Sequence, residues 1–303
     1  MNKILVVSYS QSGQLNEIVN RFLKPFDPSS IEHLTVQPQK LFPFPWTSDV
    51  FFDTMPETVL EEPILLADIN PQQDKYSLII LAYQPWFLSP SLPISSLLQQ
   101  EKFRQIISNT PVVTLIGGRN MWLNAQESVK KHIKAAGGTL VANIPFMDRT
   151  SNLVSAVTIL HWMLTGRKDR KWGIFPLPGV SDKDIESATG FGKMVRNALD
   201  NKDFSGLQKT ILSSGLIEIP TDILFIEQRA KKIFYLWANL IKKKGTTPQK
   251  RKKLVGLFKY YLLIALFMVA PVLLFVYNLL IAPFTKSAIE KKKEYFCGLD
   301  LKE

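Results

Sequence analysis

The chain predicts an α/β fold: a doubly wound, five-stranded parallel sheet with a C-terminal helical extension and a membrane helix. Three observations predict it. "KILVVSYSQSGQLNEIV" opens the sequence as an apolar run, a polar turn containing glycine and an amphipathic pattern, which is the first βα unit of a parallel sheet. "KYSLIILAY" and "TPVVTLI" are nearly continuous apolar runs, as central strands covered on both faces require. Residues 260–284 carry no charge over 25 positions, enough at about 1.5 Å per residue to cross a hydrocarbon core of about 30 Å.

Taken in order, strands are expected at 3–8, 31–36, 76–83, 111–116 and 139–144, with helices between them. In the first helix Leu15, Ile18, Val19, Phe22 and Leu23 share one face. "MWLNAQESVKKHIKAAGG" ends in paired glycines suited to a helix C-cap. The segment 37–58, "QPQKLFPFPWTSDVFFDTMPET", is rich in proline and aromatics and is expected to be neither helix nor strand throughout. Beyond 165 a basic turn, "TGRKDRKW", leads to a helix started by Ser181 with Asp182 and Asp184 in its first turn, then to a shorter helix near 204–214.

The expected organisation is a sheet domain at 1–165, a helical extension at 166–225, a basic amphipathic membrane-surface segment at 226–259, a transmembrane or re-entrant helix at 260–284 and a polar tail at 285–303. Pro271 in mid-run allows either a kinked span or a hairpin that dips and returns. Lys and Arg outnumber Asp and Glu by 37 to 26. Many of these cations crowd into 229–259, beside the apolar run and not over a folded face, which favours a membrane over nucleic acid as the anionic partner. The positive-inside bias puts the main domain on the cytoplasmic side of the cytoplasmic membrane. No N-terminal signal peptide is expected, because five apolar residues are too few for its hydrophobic core. With Cys297 the sole cysteine, an intrachain disulfide and a cysteine metal site are excluded, and no His/carboxylate cluster has metal spacing.

Three loops leave strand C-termini at the edge where such sheets bind ligands. In "YSQSGQL", Ser10, Gln11, Ser12, Gly13, Gln14 and Leu15 form the turn into the first helix, where outward amides and the helix dipole suit a phosphate. No lysine follows as in a nucleoside triphosphate loop, so a monophosphate fits better. "AYQPWFLSPSLP" brings Pro85, Trp86 and Phe87 on a proline-stiffened loop able to stack on a planar ring. "GGRNMW" brings Gly117, Gly118, Arg119 and Asn120, a backbone edge with a cation and an amide. Together they describe a site for flavin mononucleotide (FMN). No catalytic residue is assigned; Arg119, Tyr83 and His161 are candidates for a modest proton-transfer role. The insertion at 42–52 is expected to lid alkyl chains.

These loops resemble those of flavodoxins and flavodoxin-like quinone reductases over residues 1–165, with Leu15, where flavodoxins carry a hydroxyl residue, pointing to the reductase branch. "SYSQSGQLNEIV", "GGRNMWLNAQESVK" and the C-terminal apolar run resemble more closely the flavodoxin-like proteins of dialkylresorcinol and flexirubin pigment pathways, often labelled condensing enzymes. That resemblance implies oxidation of a dialkyl cyclohexane-1,3-dione to a resorcinol, with a ketosynthase as partner and a lipophilic cyclic dione or quinone as substrate. Condensation would need an activated cysteine, and Cys297 lies far from all three loops in sequence. An NAD(P)H-dependent quinone or FMN reductase, and a scaffold without flavin, are the other expectations.

Overall fold

The computed structural model describes residues 3–301. Its elements begin with strand β1 (Ile4–Ser8), helix α1 (Gln14–Leu23), β2 (Ile31–Thr35), two short helices α2 (Ser48–Asp53) and α3 (Met55–Leu60), and β3 (Leu78–Tyr83). A two-residue hairpin, β4 (Pro85–Trp86) and β5 (Ser89–Pro90), precedes α4 (Leu92–Gln99) and α5 (Glu101–Ile107). Then come β6 (Pro111–Gly118), α6 (Leu123–Ala135), β7 (Thr139–Met147) and α7 (Asn152–Thr165). Helices α8 (Asp182–Asp200), α9 (Leu207–Ser213), α10 (Thr221–Lys244), α11 (Pro248–Ile264), α12 (Ala270–Leu280) and α13 (Lys286–Cys297) complete the chain.

The main sheet runs β2-β1-β3-β6-β7, all parallel. This is the flavodoxin-like doubly wound order, whose ligand crevice opens beyond the strand C-termini where the winding reverses, between β1 and β3. Central β3 is buried at all six positions, as its unbroken apolar run demands.

The expected boundary at 165 does not separate two cores. Val180, Ile185, Phe191 and Val195 of the α8 region pack in one cluster with Ile4 and Val6 of β1 and Ile18 and Phe22 of α1. The approach is so close that a side chain at Gly192 would strike the Phe22 carbonyl. Helix α8 therefore completes the covering of one sheet face, and α7 is the extra element.

The segment 226–259 is likewise more than a surface strip. α10 and α11 form a helical hairpin whose Phe234, Ala238, Ile241, Val255 and Phe258 pack with Phe52 and Met55 of α2 and α3. Part of its basic charge is met by protein carboxylates: Lys242 pairs with Glu57 and Glu62, and Arg251 with Asp53 and Glu57.

From Pro248 to Leu280 the chain forms one 33-residue helix, long and apolar enough to cross a membrane, with a π turn at Ala265–Val269 between α11 and α12. Only 6 % of its most apolar stretch is buried. Both of its flanks rest on the same body. Phe258 lies in the cluster with Phe52, while at the other end Tyr277 stacks on Phe225 at 3.8 Å and Asn278 donates to Asp222 at 2.9 Å. The tail expected to be polar is helix α13, which sets Ile289 and Phe296 into the sheet's other core cluster and receives a hydrogen bond from Gln208 on the Cys297 carbonyl.

Candidate functional site

The turn after β1 holds its shape through short-range bonds. Gly13 caps α1 at φ 87°, a left-handed conformation natural to glycine, and offers no side-chain oxygen as a cap. Its amide donates to Ser10 Oγ at 3.1 Å, and the Asn16 amide donates back to its carbonyl. Among the described residues the amides of Ser12, Gln14 and Leu15 meet no acceptor, so the positive end of α1 is available to an anion.

Several side chains of this turn are engaged elsewhere. The Gln11 amide group donates to the carbonyls of Phe42 and Pro43 and accepts from the Tyr9 hydroxyl, tying the turn to the aromatic insertion. Gln14 exchanges two 2.9 Å bonds with the Val180 backbone. Leu15 points into the core. From Gln14 and Leu15 a phosphate is therefore offered backbone, not side chains, and from Gln11 neither. Gln84, just past β3, accepts from the Gln11 amide at 2.8 Å and lines the same hollow; its position between a strand end and "PW" was the signal for it.

The aromatic loop is a tight hairpin with Phe87 at φ 45° and Leu88 at φ 62°. Two successive left-handed residues make the type I′ geometry that normally selects Asn-Gly. Bulky residues there are strained, at a cost on the order of 1–3 kcal/mol each. What holds them is packing: Leu88 is buried, and Phe87 lies against Phe51, Phe234 and Phe258. Trp86 stands edge-on to Tyr9, Phe42 and Trp46. Trp46 is buried with its ring N–H unpartnered, and it lines the hollow.

At the end of β6, a side chain on Gly117 would come within 3.1 Å of Leu15 Cδ1, and one on Gly118 within 3.1 Å of Pro85 Cδ. The paired glycines let the three loops close on one another. Arg119 donates to the Asn152 carbonyl and Oδ1 at 2.9 and 2.8 Å and makes no ion pair among the described residues. Burial lowers its pKa to about 10 despite the fields of Asp148 and Glu227. Asn120 turns away: it donates to Asn152 and lines a separate hollow beside Asp148 and Phe191.

The three loops thus enclose a hollow of about 210 Å³, lined among others by Ser12, Trp46, Trp86, Gly117 and Arg119. Ligand pockets commonly run about 300–1,000 Å³, and this one adjoins a second, apolar cavity of about 330 Å³. The two share Phe51, Pro85, Phe87, Arg119, Ile159 and Met163. Neither other proton-transfer candidate reaches either cavity. Tyr83 is fully buried, donates to Gln126 at 2.7 Å and has its pKa raised by burial, and His161 is held by Asp169 at 2.7 Å.

The free amides at the α1 N-terminus, the unpartnered Trp46 N–H, the glycine edge and Arg119, the cation lining this hollow, fit a phosphorylated planar ring better than a metal: among the described residues no group of His, Cys, Asp or Glu could hold one. No family model matches the chain, and no curated protein matches it. Among solved structures it is similar to a flavoprotein in complex with FMN from Lactobacillus acidophilus NCFM, with 15 % sequence identity and a TM-score of 0.40, over 48 % of this chain and 93 % of that one.

Proposed function

We propose that the protein is a membrane-attached, FMN-dependent oxidoreductase acting on a lipophilic ring substrate. The observation that carries the reading is the hollow at the sheet's winding reversal, where unbonded amides, a tryptophan wall and Arg119 converge and open onto an apolar cavity. The amides of Ser12, Gln14 and Leu15 would hold the phosphate, the contacting pair Trp46 and Trp86 would form an aromatic wall on one side of the ring, and Gly117 and Gly118 would lie along its edge. The flavin supplies a two-electron acceptor for a hydride equivalent. The protein's part is to orient the substrate, exclude water through the aromatic insertion, and set the Arg119 charge beside a developing enolate oxygen.

The reaction that best suits this chemistry is aromatisation of a dialkyl cyclohexane-1,3-dione. Loss of a hydride from one ring carbon and a proton from its neighbour, followed by tautomerisation, gives the resorcinol. The ring protons of a 1,3-dione are acidic, so no strong base is required, and none lines the hollow.

Attachment is read as lying in the membrane plane. A single crossing would put the two flanks of the apolar helix on opposite sides, whereas both pack on one body and both are basic: Lys250, Lys252 and Lys253 before it, Lys286 and Lys291 to Lys293 after it. Cations at both ends suit one anionic cytoplasmic leaflet.

One observation favours a second reading. Phe42 and Trp46 occupy space beside Trp86 where a ring would stack, as in a scaffold that has lost its flavin.

The test is an FMN titration of the detergent-purified protein, followed by anaerobic addition of a dialkyl cyclohexane-1,3-dione. Bleaching of the bound flavin with formation of a product two hydrogens lighter is expected. Gly13→Asp should weaken FMN binding more than 100-fold and Gly13→Asn, equally tolerant of the left-handed backbone, less than tenfold. No FMN binding by the wild type overturns the oxidoreductase reading in favour of the scaffold.

A further inference from the structure

The apolar cavity beside the hollow has walls that no packing argument requires. It holds about 330 Å³ and is open on the side of the apolar helix, where Val269 and Leu273 are exposed. One wall is α7, through Ala156, Ile159, Leu160 and Met163. A second is α10, through Phe225 and Ile233, and the third is the apolar helix itself, through Leu262, Leu266, Ala270 and Leu273. The π turn at Ala265–Val269 lies along this third wall, with Ala265, Leu266 and Val269 in the lining. Such turns in an otherwise regular helix recur at functional sites.

The two ends of the cavity differ in chemistry. At the inner end, Arg119, Pro85 and Phe87 line both this cavity and the hollow, so the two adjoin across these side chains. Arg119 there has only Asn152 as a hydrogen-bonding oxygen partner and no carboxylate within ion-pair distance among the described residues. At the outer end the lining gives way to the helix's exposed face, where Tyr260, Met268, Val272 and Phe275 are each more than 60 % exposed. A greasy corridor thus leads from a surface that water would not choose to Arg119, while the lining's other cation, Arg229, lies exposed on α10 and donates to the Phe225 carbonyl.

We infer that this cavity is a tail pocket for an amphipathic small molecule, a hydrocarbon chain carrying an anionic or enolic oxygen headgroup, which enters sideways from the bilayer between α7 and the apolar helix and stops with its headgroup at Arg119. The inference rests on the proposed function for what happens to the headgroup, and not for the chain's path. Hydrocarbon that is already in the membrane moves from one apolar medium to another, so the pocket gains little from the chain by transfer alone. Its discrimination comes from Arg119, which only a chain with a properly placed oxygen can satisfy.

The probe is a dodecylresorcinol carrying a mid-chain diazirine, photolysed with the full-length protein in phosphatidylcholine/phosphatidylglycerol vesicles and mapped by peptide mass spectrometry, with and without added FMN. Adducts are expected on the inward residues Ile159, Met163, Leu262 and Leu266. Unlabelled dodecylresorcinol should compete at least tenfold better than dodecylbenzene, which has the same chain and no oxygens. Ala270→Trp at the doorway and Ala156→Trp deeper in should each cut labelling about tenfold while vesicle flotation and melting temperature hold. Adducts confined to the outward residues Met268, Val272 and Phe275, at equal yield in both variants, overturn the pocket. Inward labelling in a protein that never binds FMN would leave the pocket standing and remove the oxidoreductase.

Discussion

Strand β3 and helix α12 are written in nearly the same alphabet, "LIILAY" against "APVLLFVYNLL", and meet opposite fates. Every residue of β3 is buried by the protein. On α12 only Tyr277 is, and Val272, Phe275 and Leu279 stand more than 60 % exposed. Apolar content is therefore no guide to where a segment sits; what matters is whether the rest of the chain supplies a cover. For β3 the cover is two layers of helices. For α12 the described residues cover little beyond Tyr277, and leaving a large apolar side chain in water costs about 1.5–3 kcal/mol relative to burying it; the proposed membrane attachment would supply the missing cover.

Placing one charge in each region sharpens the contrast most. Leu81→Asp in β3 buries a carboxylate without a partner and should remove most of a domain's typical stability of about 5–15 kcal/mol, leaving no cooperative melt by circular dichroism. The triple change Val272→Asp, Phe275→Asp, Leu279→Asp should leave melting within a few degrees in detergent but abolish flotation with anionic vesicles. Equal loss of folding in both would mean that α12 belongs to the core.

The layer that joins these regions gives the next effect. Phe258 is fully buried among Phe52, Phe87 and Phe234, and Phe258→Ala should cost about 3–5 kcal/mol by urea denaturation. Near-zero cost would show that the helical hairpin is not docked on α2 and α3.

Glu227 is the polar pin of the same joint. One of its carboxylate oxygens accepts from the Asn124 amide at the start of α6, and the other has no partner. Burial raises its pKa to about 7 from about 4.5. Between those values the folded state holds the proton more tightly than the unfolded one. Its contribution is thus full below about pH 4.5 and is lost as pH rises to about 7, by up to roughly 3 kcal/mol. Glu227→Gln should flatten that slope; an unchanged slope would assign it to another group.

The smallest effect lies at the surface. Arg251→Ala removes the contacts to Asp53 and Glu57 and should cost about 1 kcal/mol, shrinking in high salt. Salt independence would place that pair in a drier setting than the strand-and-helix contrast implies.

What was legible in the sequence was local. The strands follow from apolar runs, and the paired glycines 117 and 118 and the turn at Gly13 announce close approach within a few residues. What escaped was built from afar. Nothing near Gln14 foretells its bonds to Val180, 166 residues away, and nothing in "SDKDIESATG" says that α8 will join the β1 core. Two misses had a faint signal. Ile289 and Phe296 lie seven residues apart, two helical turns on one face, among charges that made the tail read as polar. Cations at 229–259 read as lipid-facing because the carboxylates that meet some of them, Asp53, Glu57 and Glu62, come from an insertion about 180 residues earlier.

The return of α13 to the sheet bears on how the chain reaches a bilayer. Because the polypeptide comes back to the body it left, Lys286, Lys291, Lys292 and Lys293 would never have to be dragged through hydrocarbon. On the proposed attachment, such a protein would be finished by the ribosome in the aqueous phase and would settle onto lipid afterwards without a translocation channel; release of the intact, folded chain from vesicles by high salt or carbonate is the expected outcome.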